Sequence, residues 1–381
     1  MNISEYLRTL SDKFELIINE DKGHLDHPED LVFLNGTNGA NRAIKAAQLT
    51  VQNPNTVTIK WDGFPALIFG HGPDNKFRIM DKHMFNKKDG AGRNVFSPEE
   101  FVEYDRARGV ERSALHNIIA NLWPNLAKAS KGTKGYYWGD LLFGEPLKNQ
   151  NGYYIFRANP NGITYKVDTS SDLGKLLSGK SAGIAVHQYI TPNAMSTDEA
   201  TPLNGTIGQL KNNTSVAVVP SKMPNTPQLK LDNKLVKNVQ SSIQKYGASV
   251  DQMLETAPQA RSSFNQLFTT YINKRIVSGN LENLINGFLQ YIESRPMTTT
   301  MKEKILNHFQ QNKNGLIGIF TIWSEIYKLK MNIVQQLNKA AESSPVQGYL
   351  QDGTNTQEGF VANGLKFVDR MGFSRQNLQN R

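Results

Sequence analysis

The sequence predicts an α+β protein: antiparallel sheets with flanking helices, into which an all-helical domain is inserted. Three observations lead there. From residue 135 onward, short segments rich in aromatic and β-branched residues are broken by Gly, Asn and Pro. Residues 231–345 instead carry apolar positions three and four apart. After residue 355 the strand character returns. The expected domains are therefore 1–230 with 346–381, and the inserted 231–345.

Taken in order, residues 1–20 place Ile3, Tyr6, Leu7, Leu10, Phe14 and Ile17 at helical spacing. A turn-rich loop, LNGTNGAN, precedes a second helix over 41–52. Val57 and Ile59 alternate into Lys60-Trp61-Asp62-Gly63, and Ala66–Phe69 runs on as an apolar segment, so the lysine stands at a strand edge or end. A hairpin turn over Gly70–Asn75 leads to a returning strand, Lys76–Met80. Asp81–Arg93 reads as a basic, glycine-rich loop. Ser97 as N-cap, Pro98 at the first helical position and Glu100 open a helix over 98–108, and another follows over 110–130.

The segments GYYWGDLLF, NGYYIFRANP, GITYKVD and AGIAVHQYI read as antiparallel strands. Residues 192–230 read as loop around one further strand, SVAVVP, and the helical region holds four or five elements. Asn363-Gly364, between TQEGFVA and LKFVD, is a two-residue hairpin signal.

Composition narrows the function. An excess of 43 Lys and Arg over 34 Asp and Glu gives a net charge of +9, which fits a polyanion such as nucleic acid. The absence of cysteine excludes disulfides and thiolate metal sites. No stretch reaches the roughly 18 apolar residues of a membrane span. The N-terminus carries charges where a signal peptide needs an apolar core, so a cytoplasmic protein without a membrane partner is expected.

Several strands carry motifs. Lys60-x-Asp62-Gly63 resembles the nucleotide-attachment motif of the covalent nucleotidyltransferases, which include ATP-dependent DNA ligases, RNA ligases and mRNA capping enzymes. Tyr137-Trp138-Gly139-Asp140 is similar to that family's third motif, and Ile163–Asp168 to the strand bearing its base-stacking aromatic. Glu358-Gly359-Phe360-Val361 resembles the fourth motif and Leu365-Lys366-Phe367-Val368 the fifth. The resemblance implies a ligase-type nucleotidyltransferase domain, with ATP and Mg2+ as cofactors.

By that resemblance Lys60 is the nucleophile and AMP carrier, which requires its amine to be neutral. Glu358 holds the magnesium ion, and Lys366 contacts the α-phosphate and depresses the Lys60 pKa. Asp140 accepts from a ribose hydroxyl, Tyr165 stacks on adenine, and Asp62 orients the site toward the nucleic-acid end. Gly63 admits a phosphate or ribose close to the backbone.

The pattern departs from the family in three places. Pro65 stands where an arginine is usual, leaving Lys82 or Arg93 to make ribose or phosphate contacts; Asp140 replaces glutamate; and Val368 replaces a second lysine beside Lys366, with Arg370 nearby. The residues after Val368 are too few for the oligonucleotide-binding barrel of DNA ligases, a point shared with RNA ligases. The basic helical region is the expected substitute clamp.

The expected activity is an ATP-dependent polynucleotide ligase of phage type, in the host cytoplasm and acting as a monomer. It joins 5′-phosphate and 3′-hydroxyl ends at nicks in duplex DNA or a DNA/RNA hybrid. The alternatives are an RNA-repair ligase on single-stranded RNA, a non-sealing nucleotidyltransferase, and an inactive nucleic-acid-binding phage protein.

Overall fold

The computed structural model describes residues 25–158, 162–259, 261–350, 352–355 and 357–374. The helix expected over residues 1–20 lies outside them. The fold is mixed α+β, as expected. Contacts group Thr56–Asn225 with Ala341–Glu358 into one unit, and Asp26–Asn55, Thr226–Ala340 and Gly359–Arg381 into another. The breaks near 225 and 340 lie close to the expected 230 and 345, while Asp26–Asn55 and Gly359–Arg381 go with the helices.

In the first unit, strands β2 (Ala66–His71), β3 (Phe77–Met80), β4 (Gly135–Phe143), β8 (Ala182–Ile190) and β10 (Val216–Pro220) form one sheet in the order β10-β8-β4-β2-β3. The strand β9 (Thr201–Pro202) pairs with β8. Leu67, Ile68 and Phe69 are all fully buried, which is why β2 reads as a continuous apolar run and not as an alternation. The helices Pro98–Ala107 and Ser113–Ala129 contribute Phe101, Ile119, Leu122 and Leu126 to this core.

The expectation of purely antiparallel pairing is corrected at β10, which runs parallel to β8 with Val216 opposite Ala182. Parallel neighbours need a long crossover, and the irregular stretch between β8 and β10 supplies it. A second sheet, wholly antiparallel, has the order β11-β7-β6-β5, from β5 (Asn149–Gln150), β6 (Tyr153–Phe156), β7 (Thr164–Asp168) and β11 (Val346–Tyr349).

The expected loop over Asp81–Arg93 is also corrected. Asp81 accepts the Met84 N–H at 2.8 Å and caps a short helix, Lys82–Asn86, whose Met84 and Phe85 are fully buried. Ser97 caps the next helix as expected, accepting from the Glu100 N–H at 3.1 Å. The Glu100 carboxylate, however, takes the Phe96 N–H at 2.6 Å.

In the second unit, helix Leu31–Gln52 runs through the expected LNGTNGAN loop. The turn signal survives as a kink at Asn35-Gly36, with Gly36 at φ +56. Asp251 accepts from the Thr37 N–H at 2.8 Å and the Thr37 hydroxyl at 2.5 Å, satisfying a donor that the kink frees. Between residues 233 and 342 the described residues form five helices, Asn233–Glu255, Arg261–Ser278, Leu284–Ser294, Thr299–Gln311 and Lys313–Glu342.

Their core is aromatic: Phe268 stacks on Phe33 at 5.2 Å and on Phe288 at 4.8 Å. Beside it lies a buried ionic cluster in which Lys330 meets Glu29 at 2.7 Å and Arg370 meets Asp30 at 2.9 Å. The strands β12 (Phe360–Ala362) and β13 (Leu365–Phe367) pair as the expected hairpin. Asn363 and Gly364 take φ of 51 and 70, the left-handed geometry of a type I′ turn.

Candidate active site

The site lies in the first unit and begins at β1 (Thr58–Ile59). The Ile59 N–H donates to the Ser221 carbonyl at 2.7 Å, and the chain leaves the strand directly afterward. Lys60 therefore stands at a strand end, as expected. The following turn is fastened to β4 twice: the Phe64 N–H donates to the Leu141 carbonyl at 2.9 Å, and the Leu141 N–H to the Pro65 carbonyl at 3.1 Å. Gly63 is required there for a reason sequence reading did not give. A Cβ at this position would stand 2.5 Å from the Asp140 Cβ and 2.9 Å from the Leu141 carbonyl oxygen.

Asp62 is buried behind the turn and accepts the Ile163 N–H at 2.8 Å. Its own N–H donates to the Tyr165 hydroxyl at 2.6 Å. These bonds tie the lysine turn to the β7 region, and they correct the expectation that Asp62 faces a nucleic-acid end. They correct the role of Tyr165 as well. It is fully buried, packed on Trp61 at 4.7 Å and Phe156 at 5.6 Å, and presents no free face to a base. Burial pushes its phenol well above the ordinary range, with Glu358 and Asp62 adding to the effect.

In front of this support, the Lys60 ammonium donates to Glu358 Oε1, forming an ion pair between residues 298 apart in sequence. The Lys60 side chain is 30% exposed and that of Glu358 only 12%. Burial alone would lower the lysine pKa. The Glu358 charge and hydrogen bond outweigh it, Asp140 and Asp62 add to them, and the amine is held above its ordinary value. This is opposite to the depression expected for a nucleophilic lysine. Burial pushes Glu358 up to about 7, against the pull of Lys60 and with the push of Asp62 and Asp140. Its Oε2 is buried and has no hydrogen-bond partner among the described residues.

On β4 the Asp140 carboxylate faces His187, with Oδ2 and Nε2 3.4 Å apart. The imidazole lies 5.7 Å from the Trp138 ring, and the Lys82 amine stands 5.6 Å from that ring on its other contact. Lys82 thus borders the site. Arg93 does not act beside it: its guanidinium holds the Phe85 and Met195 carbonyls and braces the loop. Arg370 is likewise corrected, being buried against Glu29 and Asp30 in the second unit. Lys366 lies on β13 in that second unit, where its N–H donates to the Asp26 carbonyl at 2.9 Å.

Lys60, Gly63, Asp140 and Glu358 are thus gathered at one place, with Asp62 and Tyr165 behind them as supports. Sequence reading missed His187 and the exposed Phe64, 64% accessible next to Gly63. A histidine directly after the apolar run AGIAV was the available signal for the first.

Among the described residues no three carboxylate or imidazole side chains stand together as a metal-binding group. Magnesium does not need one, since it takes one or two carboxylates plus phosphate and water oxygens. Glu358, with its orphaned Oε2, fits as that single ligand. A family model described as a family of unknown function, DUF6267, matches residues 21–381. No curated protein and no solved structure matches the chain.

Proposed function

The chain belongs to this family of unknown function, DUF6267, and from its own geometry we propose that it is an ATP-dependent polynucleotide ligase working through a lysyl-AMP. One observation carries the reading: the ion pair of Lys60 with Glu358, ringed by Asp140 and Asp62, at the head of a turn fastened to the sheet. A lysine, an acceptor-only carboxylate and a rigid backbone are the parts that nucleotidyl transfer to an amine requires.

In the first step the neutral Lys60 amine attacks the α-phosphorus of ATP. A P–N bond forms, the P–O bond to pyrophosphate breaks, and the amine proton passes to water. The paired ammonium is the resting form, and separation from Glu358 frees the amine to lose its proton. Glu358 would hold magnesium, which supplies positive charge at the phosphate. AMP then passes from Lys60 to a 5′-phosphate, and a 3′-hydroxyl displaces it to seal the strand. The substrate is a nick in duplex DNA or a DNA/RNA hybrid, consistent with the net charge of +9.

Incubation with α-labelled ATP, magnesium and a nicked duplex tests the proposal. A labelled protein band and a sealed strand are expected from the wild type, and neither from Lys60→Ala. Joining on single-stranded RNA alone would replace the duplex substrate. The same ion pair, by holding the amine charged, favours a second reading as a binding module without transfer. Folded wild-type protein that takes no label but still binds the nicked duplex would favour that reading instead.

A further inference from the structure

We propose that His187 is a specificity-determining residue of this site, binding a ribose hydroxyl together with Asp140 and selecting ribonucleoside triphosphates over 2′-deoxy forms. This rests on the nucleotidyl-transfer reading above.

The first support is the sheet register. On β8, Gln188 lies opposite Trp138 and Val186 opposite Gly139, which leaves His187 as an extra residue between them. Such a β-bulge re-aims a side chain that the regular pleat would direct elsewhere. The bulge is held in place, because the His187 carbonyl accepts the Leu203 N–H at 3.0 Å. Its imidazole is brought to 3.4 Å from the Asp140 carboxylate and remains 32% exposed, accessible to a ligand.

The second support comes from how the other carboxylates are engaged. Glu358 is paired with Lys60, and Asp62 is turned inward onto the Ile163 N–H. Asp140 is 21% exposed, and its charge acts on the Lys60 ammonium. It therefore stands beside the reacting amine without being bonded to it in the way Glu358 is.

In a nucleotide whose α-phosphorus meets Lys60, the next group along the molecule is the sugar. A hydroxyl both donates and accepts. A carboxylate with an imidazole beside it offers an acceptor and a donor to such a group. His187, re-aimed by its bulge and partly exposed, is placed to provide the donor.

The test measures ATP and 2′-dATP binding by calorimetry in a Lys60→Ala background, with His187 intact or replaced as His187→Ala. With His187 present, 2′-dATP should bind about tenfold more weakly than ATP, the value of one hydrogen bond at the upper end of the ordinary range. His187→Ala should weaken ATP more than 2′-dATP and narrow the ratio, the part carried by Asp140 remaining. His187→Asn, which keeps a donor, should restore part of the difference.

The same ratio read from covalent labelling rates of Lys60-intact protein guards against misfolding of the double variant. Equal binding of the two nucleotides with His187 present, or an unchanged ratio in His187→Ala, would overturn the inference alone. Absence of ATP binding with His187 intact, together with no labelling of the wild type, would overturn the underlying reading and this inference with it.

Discussion

Replacing Tyr165 by Phe removes one oxygen and leaves the ring. In the structure that oxygen accepts the Asp62 N–H at 2.6 Å inside a fully buried site. Without it the donor has neither this partner nor direct access to water, and an unsatisfied buried donor costs about 1–3 kcal/mol. At an unfolding slope of about 3 kcal/mol per M urea or steeper for a chain of this length, the urea midpoint should fall by up to about 1 M. Because the same bond fixes the turn that carries Lys60, the rate of labelling by ATP should fall with it. A base-stacking tyrosine predicts the reverse pattern: Tyr165→Phe would keep both stability and nucleotide affinity, since the ring is retained. A variant as stable as wild type would refute the assignment of Tyr165 as an anchor.

Other consequences follow from the same contacts. A methyl group at Gly63 would meet Asp140 at 2.5 Å, so Gly63→Ala should push the turn from β4 and lower lysine labelling about 100-fold, measured beside circular dichroism to confirm folding. Lys330→Met removes the 2.7 Å partner of the buried Glu29 carboxylate, which keeps Arg370 at 3.2 Å, and should cost up to about 3 kcal/mol by denaturation, much of it recovered by adding Glu29→Gln.

Asp74 grips Arg78 with both oxygens, and chiefly through that bond its pKa is lowered to about 2 from 3.8. A depressed carboxylate stabilises the fold above its unfolded value, and this contribution is lost as pH falls through the folded one. Asp74→Asn should therefore cost about 1 kcal/mol at neutral pH, discounted for a side chain 39% exposed. The gap to wild type should close between pH 3.8 and 2 in denaturation curves, and a pH-independent gap would contradict the assignment.

Strands and long helices were legible in the sequence because their periodicity is local, and the hairpin at Asn363-Gly364 because its turn demands left-handed residues. The helix Lys82–Asn86 was not, since five residues span too little of a turn pattern and its stability comes from the Asp81 cap and two buried side chains. The parallel pairing of β10 depends on which strand the crossover returns to, which no short window records. The buried charges were not legible either: nothing local in the sequence marks Glu29, Asp30, Lys330 and Arg370, which satisfy one another inside the second unit.

At the site, residue types and their order singled out Lys60, Gly63, Asp140 and Glu358. Which way each side chain turns was another matter. Tyr165 sits on a strand where alternate residues face opposite sides, and nothing in its neighbours distinguishes a platform from a support. His187 owes its direction to a bulge, a long-range register feature.

In the proposed ligase reaction the Lys60 amine forms a covalent bond to AMP. Intact-protein mass spectrometry after incubation with ATP and magnesium, followed by peptide mapping, measures it directly. A mass gain of one AMP is expected on the wild type, located at Lys60, lost in Lys60→Ala and strongly reduced in Glu358→Gln. An unmodified mass in folded protein, or an adduct at another lysine, would contradict it.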